Sequence, residues 1–246
     1  MIILFILVAI FIFIFILNLL NKSELKKFFN NSNVIVFGKK GSGKDILFNY
    51  ITNTRKFYYS NIPYTNKNYQ LITPNDLKLG FNTFESLLLN NIEKCNWNFK
   101  EKIDFFISDC GVYLPSQYDS ILHKQYKGLP LFYALSRHIG LHNVHCNAQN
   151  LERIWKALRE QADIYIKTLK TIKLPFLLIV KYRFYDKYNS AINDIRLCKC
   201  SIFHTSDTIK VQNSNVGLIK EKWIIVTKFN TKYNSRYFKD LFIEQK

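Results

Sequence analysis

Residues Gly38-Lys39-Lys40-Gly41-Ser42-Gly43-Lys44 follow directly on the apolar run Val34-Ile35-Val36-Phe37 and lead into Ile46-Leu47-Phe48. The three glycines permit backbone angles that other residues avoid, so the segment reads as a tight loop between a buried strand and the start of a helix. Such a loop turns successive N–H groups toward one point, and the helix dipole adds positive potential there. A triphosphate fits that point. The spacing satisfies G-x-x-x-x-G-K, which places Lys44 to reach the β- and γ-phosphates of ATP, but Asp45 stands where the motif expects a Ser or Thr on Mg²⁺. Nucleotide contacts are therefore expected from Gly38, Lys39, Lys40, Gly41, Ser42, Gly43, Lys44 and Asp45.

A site that hydrolyses nucleotide needs a carboxylate at the end of a neighbouring strand, to hold Mg²⁺ and to help orient water. Asp109 closes the apolar run Ile103-Asp104-Phe105-Phe106-Ile107-Ser108 and takes that place, although a strand-end aspartate also caps turns. Cys110 and Gly111 come next, so no partner glutamate accompanies it. Either Asp109 serves both purposes or Asp45 compensates at the metal, which makes Asp45 and Asp109 the expected Mg²⁺ ligands. At a further strand tip, Asn147-Ala148-Gln149-Asn150 offers amides. Gln149 is taken as the group that senses the γ-phosphate or positions water, the alternative being plain turn chemistry. Arginine is scarce beside lysine, and Arg137, Arg153 and Arg159 fall close together. A planar guanidinium suits a transferring phosphate on a neighbouring subunit, while surface ion pairing is the other use of such residues. Arg137 is carried forward as the catalytic candidate.

His138, His142, His145 and Cys146 lie within nine positions, yet no C-x-x-C pair accompanies them. Cys198 and Cys200 alternate faces on a strand and cannot share one ion without distortion. His138 and His145 are read as packed polar residues.

Met1 to Leu20 holds no charged residue and only one polar one, Asn18. As a helix it spans about 30 Å, enough to cross a bilayer. No basic n-region or small-residue cleavage site marks a signal peptide, so a retained anchor is expected. Lys22, Lys26 and Lys27 flank its carboxyl end, and the positive-inside bias then keeps the rest of the chain in the cytoplasm, as a single-pass membrane protein. Five cysteines, an odd number, suit a reducing compartment. The net charge of +17 favours anionic lipid, nucleic acid or both.

The expected division is a transmembrane anchor at 1–20, a polar linker or helix at 21–32, a P-loop ATPase core at 33–174 and a β-rich extension of the same domain at 175–246. Helices are expected at about 43–54, 81–94, 129–139 and 150–161. Strands are expected at 34–37, 57–64, 103–109, 144–148, 177–184, 195–204, 208–211 and 223–228. Strands alternating with helices imply an α/β fold with a mostly parallel, doubly wound sheet, and the tail reads as antiparallel.

Several of these pieces recur together: the phosphate loop, Tyr59-Ser60-Asn61-Ile62-Pro63, Ser108-Asp109-Cys110-Gly111, Ser136-Arg137-His138-Ile139-Gly140, and Gln149 followed by Arg159 and Ala162-Asp163. Their order over roughly residues 33 to 240 resembles the zonula occludens toxin-like family, which includes filamentous-phage assembly proteins. The resemblance implies a P-loop fold allied to the FtsK/HerA ATPases. It also implies a homo-oligomeric ring, ATP and Mg²⁺ as cofactors, and extrusion of single-stranded phage DNA with coat proteins through the membrane. By it, Gly38 to Lys44 bind ATP, Asp109 belongs to the acidic strand-end motif and Gln149 takes the sensor place. The chain departs from the family pattern in Asp45, in Ser108-Asp109 where Asp-Glu is usual, and in the apolar run preceding the ATP-binding region. The first two departures motivate the alternative of a nucleotide-binding membrane scaffold with little or no hydrolysis that recruits virion proteins.

Overall fold

The computed structural model describes residues 2–72, 103–114, 116, 142–193 and 220–227. Helix α1 spans Ile2–Asn31 and leads into strand β1, Val34–Phe37. All four β1 side chains are buried, which requires packing on both faces and places β1 inside a sheet. The phosphate loop and helix α2 (Lys44–Thr52) follow, then β2 (Tyr58–Ser60), β3 (Tyr69–Leu71), β4 (Ile103–Ile107) and the short helix α3 (Cys110–Tyr113). Strand β5 (His142–Ala148), a 3₁₀ turn (Leu151–Arg153), helix α4 (Lys156–Arg159), β6 (Ile164–Lys173), β7 (Leu177–Tyr185) and β8 (Lys220–Thr227) complete the described elements.

These strands form one sheet in the order β3-β2-β4-β5-β1-β6-β7-β8. Every pairing from β3 to β6 is parallel, and β7 and β8 are antiparallel. The fold is the expected α/β architecture, a mostly parallel sheet continued by antiparallel carboxyl-terminal strands, with one apolar helix ahead of it. Alternation along β1 separates two cores. Ile35 and Phe37 join Phe105, Ile107, Val144, Trp155 and Tyr165 on one face. Val34 and Val36 join Leu47, Phe48, Phe106, Ile166, Val180 and Ile224 on the other.

Of the two forms expected for 21–32, linker or helix, the segment takes the helical one, because α1 continues unbroken to Asn31. Leu25 and Phe29 are fully buried and belong to the second core. Their i, i+4 spacing puts both on one helix face, and this burial holds a lysine-rich stretch in helical form against the domain. In contrast, every side chain from Phe5 to Leu17 is exposed, and the helix is long and apolar enough to cross a membrane.

The carboxyl end of α1 is satisfied at the amino-terminal edge of the sheet. Arg55 Nη2 donates to the Phe29 carbonyl at 3.3 Å and Asn143 Nδ2 to the Asn30 carbonyl at 3.1 Å. Both are otherwise orphan carbonyls of a last helical turn. Arg55 Nε and Asn143 Nδ2 also hold the buried carboxylate of Asp104, at 2.5 and 3.2 Å. His145 is fully buried between the rings of Phe29 and Phe106, at centroid distances of 4.8 and 4.9 Å, with Nε2 3.5 Å from Asp104. It is the packed polar residue the sequence suggested.

Three other local expectations change. The helix expected over 150–161 is a 3₁₀ turn and the short α4, separated at Ile154 and Trp155, both of which are buried. The Trp155 N–H donates to the Leu114 carbonyl at 2.8 Å instead of continuing a helical ladder. The strand expected over 57–64 stops at Ser60, because the Asn61 side chain takes over the backbone of Ser108: its Oδ1 accepts from the Ser108 N–H and its Nδ2 donates to the Ser108 carbonyl. Strand β6 occupies 164–173, where no strand was expected. The expected helices at 81–94 and 129–139, the strands at 195–204 and 208–211, and Arg137 and His138 lie outside the described residues.

Candidate nucleotide site

Strand β5 lies between β1 and β4, so the phosphate loop, the Asn147–Asn150 tip and the Asp109 turn stand side by side on the carboxyl edge of the sheet. Gly38, Gly41 and Gly43 have φ of 152°, 76° and 95°. Gly41 and Gly43 therefore lie in the left-handed region that turns amides into an anion-binding concavity. Gly43 is also the residue preceding α2, and its Cα is crowded. A Cβ there would strike Thr171 Oγ1 and come within 3.2 Å of Val180. At Gly38 a Cβ would meet the Thr168 carbonyl at 2.6 Å and Ser42 Oγ at 2.9 Å.

Strand β6 is thus the wall of the loop. Ser42 Oγ donates to the Lys39 carbonyl at 2.7 Å and so accepts from Thr168 Oγ1 at 2.6 Å, with the Phe37 carbonyl 3.3 Å from the same Thr168 oxygen. Sequence reading missed Thr168 and Thr171. The available signal for Thr168 was the alternation of Ile164, Ile166 and Thr168, interrupted by Lys167; the irregularity between Thr168 and Lys170, after which Thr171 reaches the loop, has none.

Lys44 is buried, and its ammonium donates to the carbonyls of Gly38 at 2.9 Å and Lys39 at 3.1 Å. Burial pushes its pKa down, partly offset by the carboxylates of Asp45 and Asp109. The ammonium is consequently a poorly solvated cation with two anions nearby and only neutral direct partners, an arrangement that favours an incoming phosphate.

Asp45 lies in the first turn of α2, where the helix dipole favours a carboxylate. Its Oδ1 accepts from Asn147 Nδ2 at 2.8 Å. Asp109 is exposed and adopts φ 50°, ψ 41°, the only non-glycine residue with positive φ among those described. That conformation costs an L residue roughly 1–2 kcal/mol, less for aspartate, which tolerates it better than most. The Asp109 N–H donates to Asn147 Oδ1 at 2.8 Å, which fixes the turn.

The fully buried Asn147 is the amide that joins these parts. Its Nδ2 also lies 3.1 Å from Ser108 Oγ, which is 2.5 Å from the Tyr64 hydroxyl. Ser108, at the position of the first acidic residue in the resembling family's pair, is thereby committed to an internal network. Gln149, the sequence candidate, is exposed two residues farther along. Position 149 has the same parity as 145 and 147 but lies beyond the end of β5 at Ala148, so the sequence alone did not tell the buried amide from the exposed one. Among the arginines, Arg159 donates to the Glu152 carbonyl at 2.9 Å and stacks on Tyr188, whereas Arg153 is exposed.

Two carboxylates, Asp45 and Asp109, flank a buried ammonium on a glycine loop. Their hard oxygen donors suit Mg²⁺. The loop, the helix start and the strand-end acid together have the form of a P-loop nucleotide site. No protein-family model matches the sequence, and no curated protein does. Solved structures similar to the chain include the genome packaging NTPase B204 from Sulfolobus turreted icosahedral virus 2 in complex with AMP, at 13% identity over 64% of this chain and 93% of that one, TM-score 0.39. The N-terminal domain of zonular occludens toxin from Neisseria meningitidis is similar at 10% identity over 85% and 97% of the two chains, TM-score 0.40. The pCW3 conjugation coupling protein TcpA with ATPγS is similar at 14% identity over 62% and 58%, TM-score 0.39.

Proposed function

We propose that the chain is a membrane-anchored P-loop ATPase that couples ATP hydrolysis to filamentous virion assembly or to export of single-stranded DNA, acting as a homo-oligomeric ring. The observation that carries the nucleotide part is the Lys44 ammonium, buried and held over a left-handed glycine loop with Asp45 and Asp109 nearby. The sequence resemblance to phage assembly proteins supports the export role, and the exposed apolar stretch of α1 supports the anchor. With Lys22, Lys26 and Lys27 at its carboxyl end, the anchor leaves the domain in the cytoplasm.

In this reading the loop amides and Lys44 bind the β- and γ-phosphates and neutralise charge that develops during transfer. Asp109 orients the attacking water, Asn147 fixes the Asp109 turn, and Gln149 faces the γ-phosphate from the strand tip. Asp45 and Asp109 would hold Mg²⁺, which when bound would neutralise phosphate charge. An arginine reaches in from the neighbouring subunit, Arg137 or the exposed Arg153.

A second reading has its own observation. Ser108 replaces a carboxylate and is tied to Tyr64 and Asn147, which suits a scaffold that binds ATP without turning it over. Mg²⁺-dependent ATP turnover by the full chain on anionic vesicles, with and without single-stranded DNA, separates the two. Turnover lost in Lys44→Ala and in Asp109→Ala supports the motor. ATP binding with no turnover in the parent selects the scaffold.

A further inference from the structure

We infer that the turn between β6 and β7 is a second membrane contact, seated in an anionic bilayer beside α1. The inference rests on the reading of α1 as a membrane anchor. The turn is short, closed by the Leu174 N–H donating to the Leu177 carbonyl at 2.9 Å. A tight turn of this kind is ordinarily polar, yet here it reads Leu174-Pro175-Phe176-Leu177, with Leu174 40%, Phe176 71% and Leu177 36% exposed. Exposed Lys170 and Lys173 stand just behind it. An apolar tip on a basic collar matches the chemistry of an anionic lipid surface.

The sheet register places this tip toward the membrane. Helix α1 runs along β8 in the opposite direction. Asn18 Oδ1 accepts from the Ile225 N–H, Asn21 Nδ2 donates to the Trp223 carbonyl, and Glu24 pairs with Lys222. Moving toward the amino end of α1 is therefore moving toward Thr227, which pairs with Leu177. Leu177 lies two residues, about 7 Å, beyond the level of Asn18, alongside the part of α1 whose apolar side chains are all exposed. A depth of about 5–10 Å is that of an interfacial insertion.

Trp223 agrees independently. It is 40% exposed, its carbonyl is held by Asn21 at the end of the apolar run, and the Lys181 ammonium lies 5.5 Å from its ring centroid. Tryptophan beside a lysine at that level is the pattern of a bilayer–water boundary. The same register carries a consequence for the nucleotide. Gly43 packs on Thr171 and Val180, and Val180 pairs with Ile224. The phosphate loop thus occupies the edge of the domain that faces the headgroups.

The test is quenching by brominated lipids of the full-length chain in phosphatidylcholine vesicles containing phosphatidylglycerol. Added tryptophans are introduced singly as Phe176→Trp, Phe11→Trp and Lys187→Trp, the last at an exposed position on the opposite edge of the sheet, each read against the parent emission. The expected result is loss of the Phe176→Trp signal to bromines near the headgroup, loss of the Phe11→Trp signal to bromines deep in the chains, and no loss for Lys187→Trp. If Phe11→Trp is quenched while Phe176→Trp is quenched only by aqueous iodide, the hairpin contact is wrong and the anchor stands. A Phe176→Trp signal shielded from both quenchers overturns the inference in favour of a second copy covering the tip. Quenching of neither Phe11→Trp nor Phe176→Trp by lipid bromines overturns the anchor reading and the hairpin contact with it.

Discussion

Asn147 Nδ2 lies 2.8 Å from Asp45 Oδ1, so one buried amide ties the tip of β5 to the first turn of the helix that follows the phosphate loop. The opposite end of the same amide, Oδ1, accepts from the Asp109 N–H. A carboxylate from α2 and a strained turn after β4 are therefore positioned by one side chain on the strand between them. The group that replaces the usual hydroxyl after the P-loop lysine is thus engaged with a partner on the strand between β1 and β4.

Replacing Asn147 should disturb both carboxylates at once. Asn147→Ala removes the partner of the Asp109 N–H, at a cost of about 1–3 kcal/mol for a group left unsatisfied, and takes one bond each from Asp45 Oδ1 and from Ser108 Oγ, which keeps the Tyr64 hydroxyl. The expected outcome is a lower urea midpoint with little change in the denaturant slope, together with weaker Mg²⁺-ATP binding by fluorescence titration. A midpoint equal to that of the parent would show that the amide is not a structural tie.

Asp45 marks the clearest departure of this site from its motif, and Asp45→Thr restores the hydroxyl. The variant gives up one carboxylate beside Lys44, whose ammonium Asp45 helps to keep charged. It gains a neutral ligand of the kind the motif places on Mg²⁺. If Asp45 is a metal ligand, the variant requires more Mg²⁺ for half-maximal ATP binding, by roughly tenfold for the loss of about 1.4 kcal/mol. An unchanged Mg²⁺ requirement would assign the metal to Asp109 alone.

The strand-loop-helix unit was legible because Val34 to Phe37, the glycines and Lys44 are contiguous, so local pattern and tertiary role coincide. Asp109 was legible for the same reason, ending an apolar run. What could not be read depends on contacts between segments far apart in sequence. Strand β6 carries lysines at 167, 170 and 173, and it is a strand because Thr168 and Thr171 wall the glycine loop. Asn61 breaks its strand early through bonds to Ser108, 47 positions away. The polar letters of 21–31 concealed Leu25 and Phe29, whose burial is decided by strands that come later. Asn147 was overlooked for Gln149 because only the sheet shows which amide points inward.

Gly43 is where close packing and backbone conformation demand the same residue. Gly43→Ala places a methyl group against Thr171 Oγ1 and Val180 and forces a φ of 95° on an L residue. The expected cost is about 1–3 kcal/mol of stability from the backbone conformation, with loss of ATP binding as the loop is pushed off β6. Gly41→Ala, whose Cβ would meet nothing within 4 Å, keeps the backbone penalty without the clash. The difference between the two urea midpoints therefore measures the β6 contact. Equal midpoints would remove β6 as the wall of the loop.

Acid should unfold the protein in two stages set by the pair under the end of α1. Burial pushes the His145 imidazole below its usual pKa, only partly offset by Asp104. The folded state then binds fewer protons than the unfolded chain, so stability rises with pH through the window that ends at about 6.5 and is complete above it. For Asp104, burial alone would raise the pKa, but the His145 imidazole, the Arg55 guanidinium and the Asn143 amide outweigh it and hold the carboxyl below its ordinary value. Its contribution is present above about pH 4 and is lost as pH falls through the depressed value. The urea midpoint should therefore begin to drop below about pH 6.5 and drop again below about pH 4. His145→Phe, filling the space between Phe29 and Phe106, should erase the first stage and leave the second. Asp104→Asn should cost roughly 3 kcal/mol at neutral pH, because the Arg55 charge loses its partner beside the buried end of α1. A midpoint flat from pH 7 to pH 5 in the parent would contradict a neutral, buried His145.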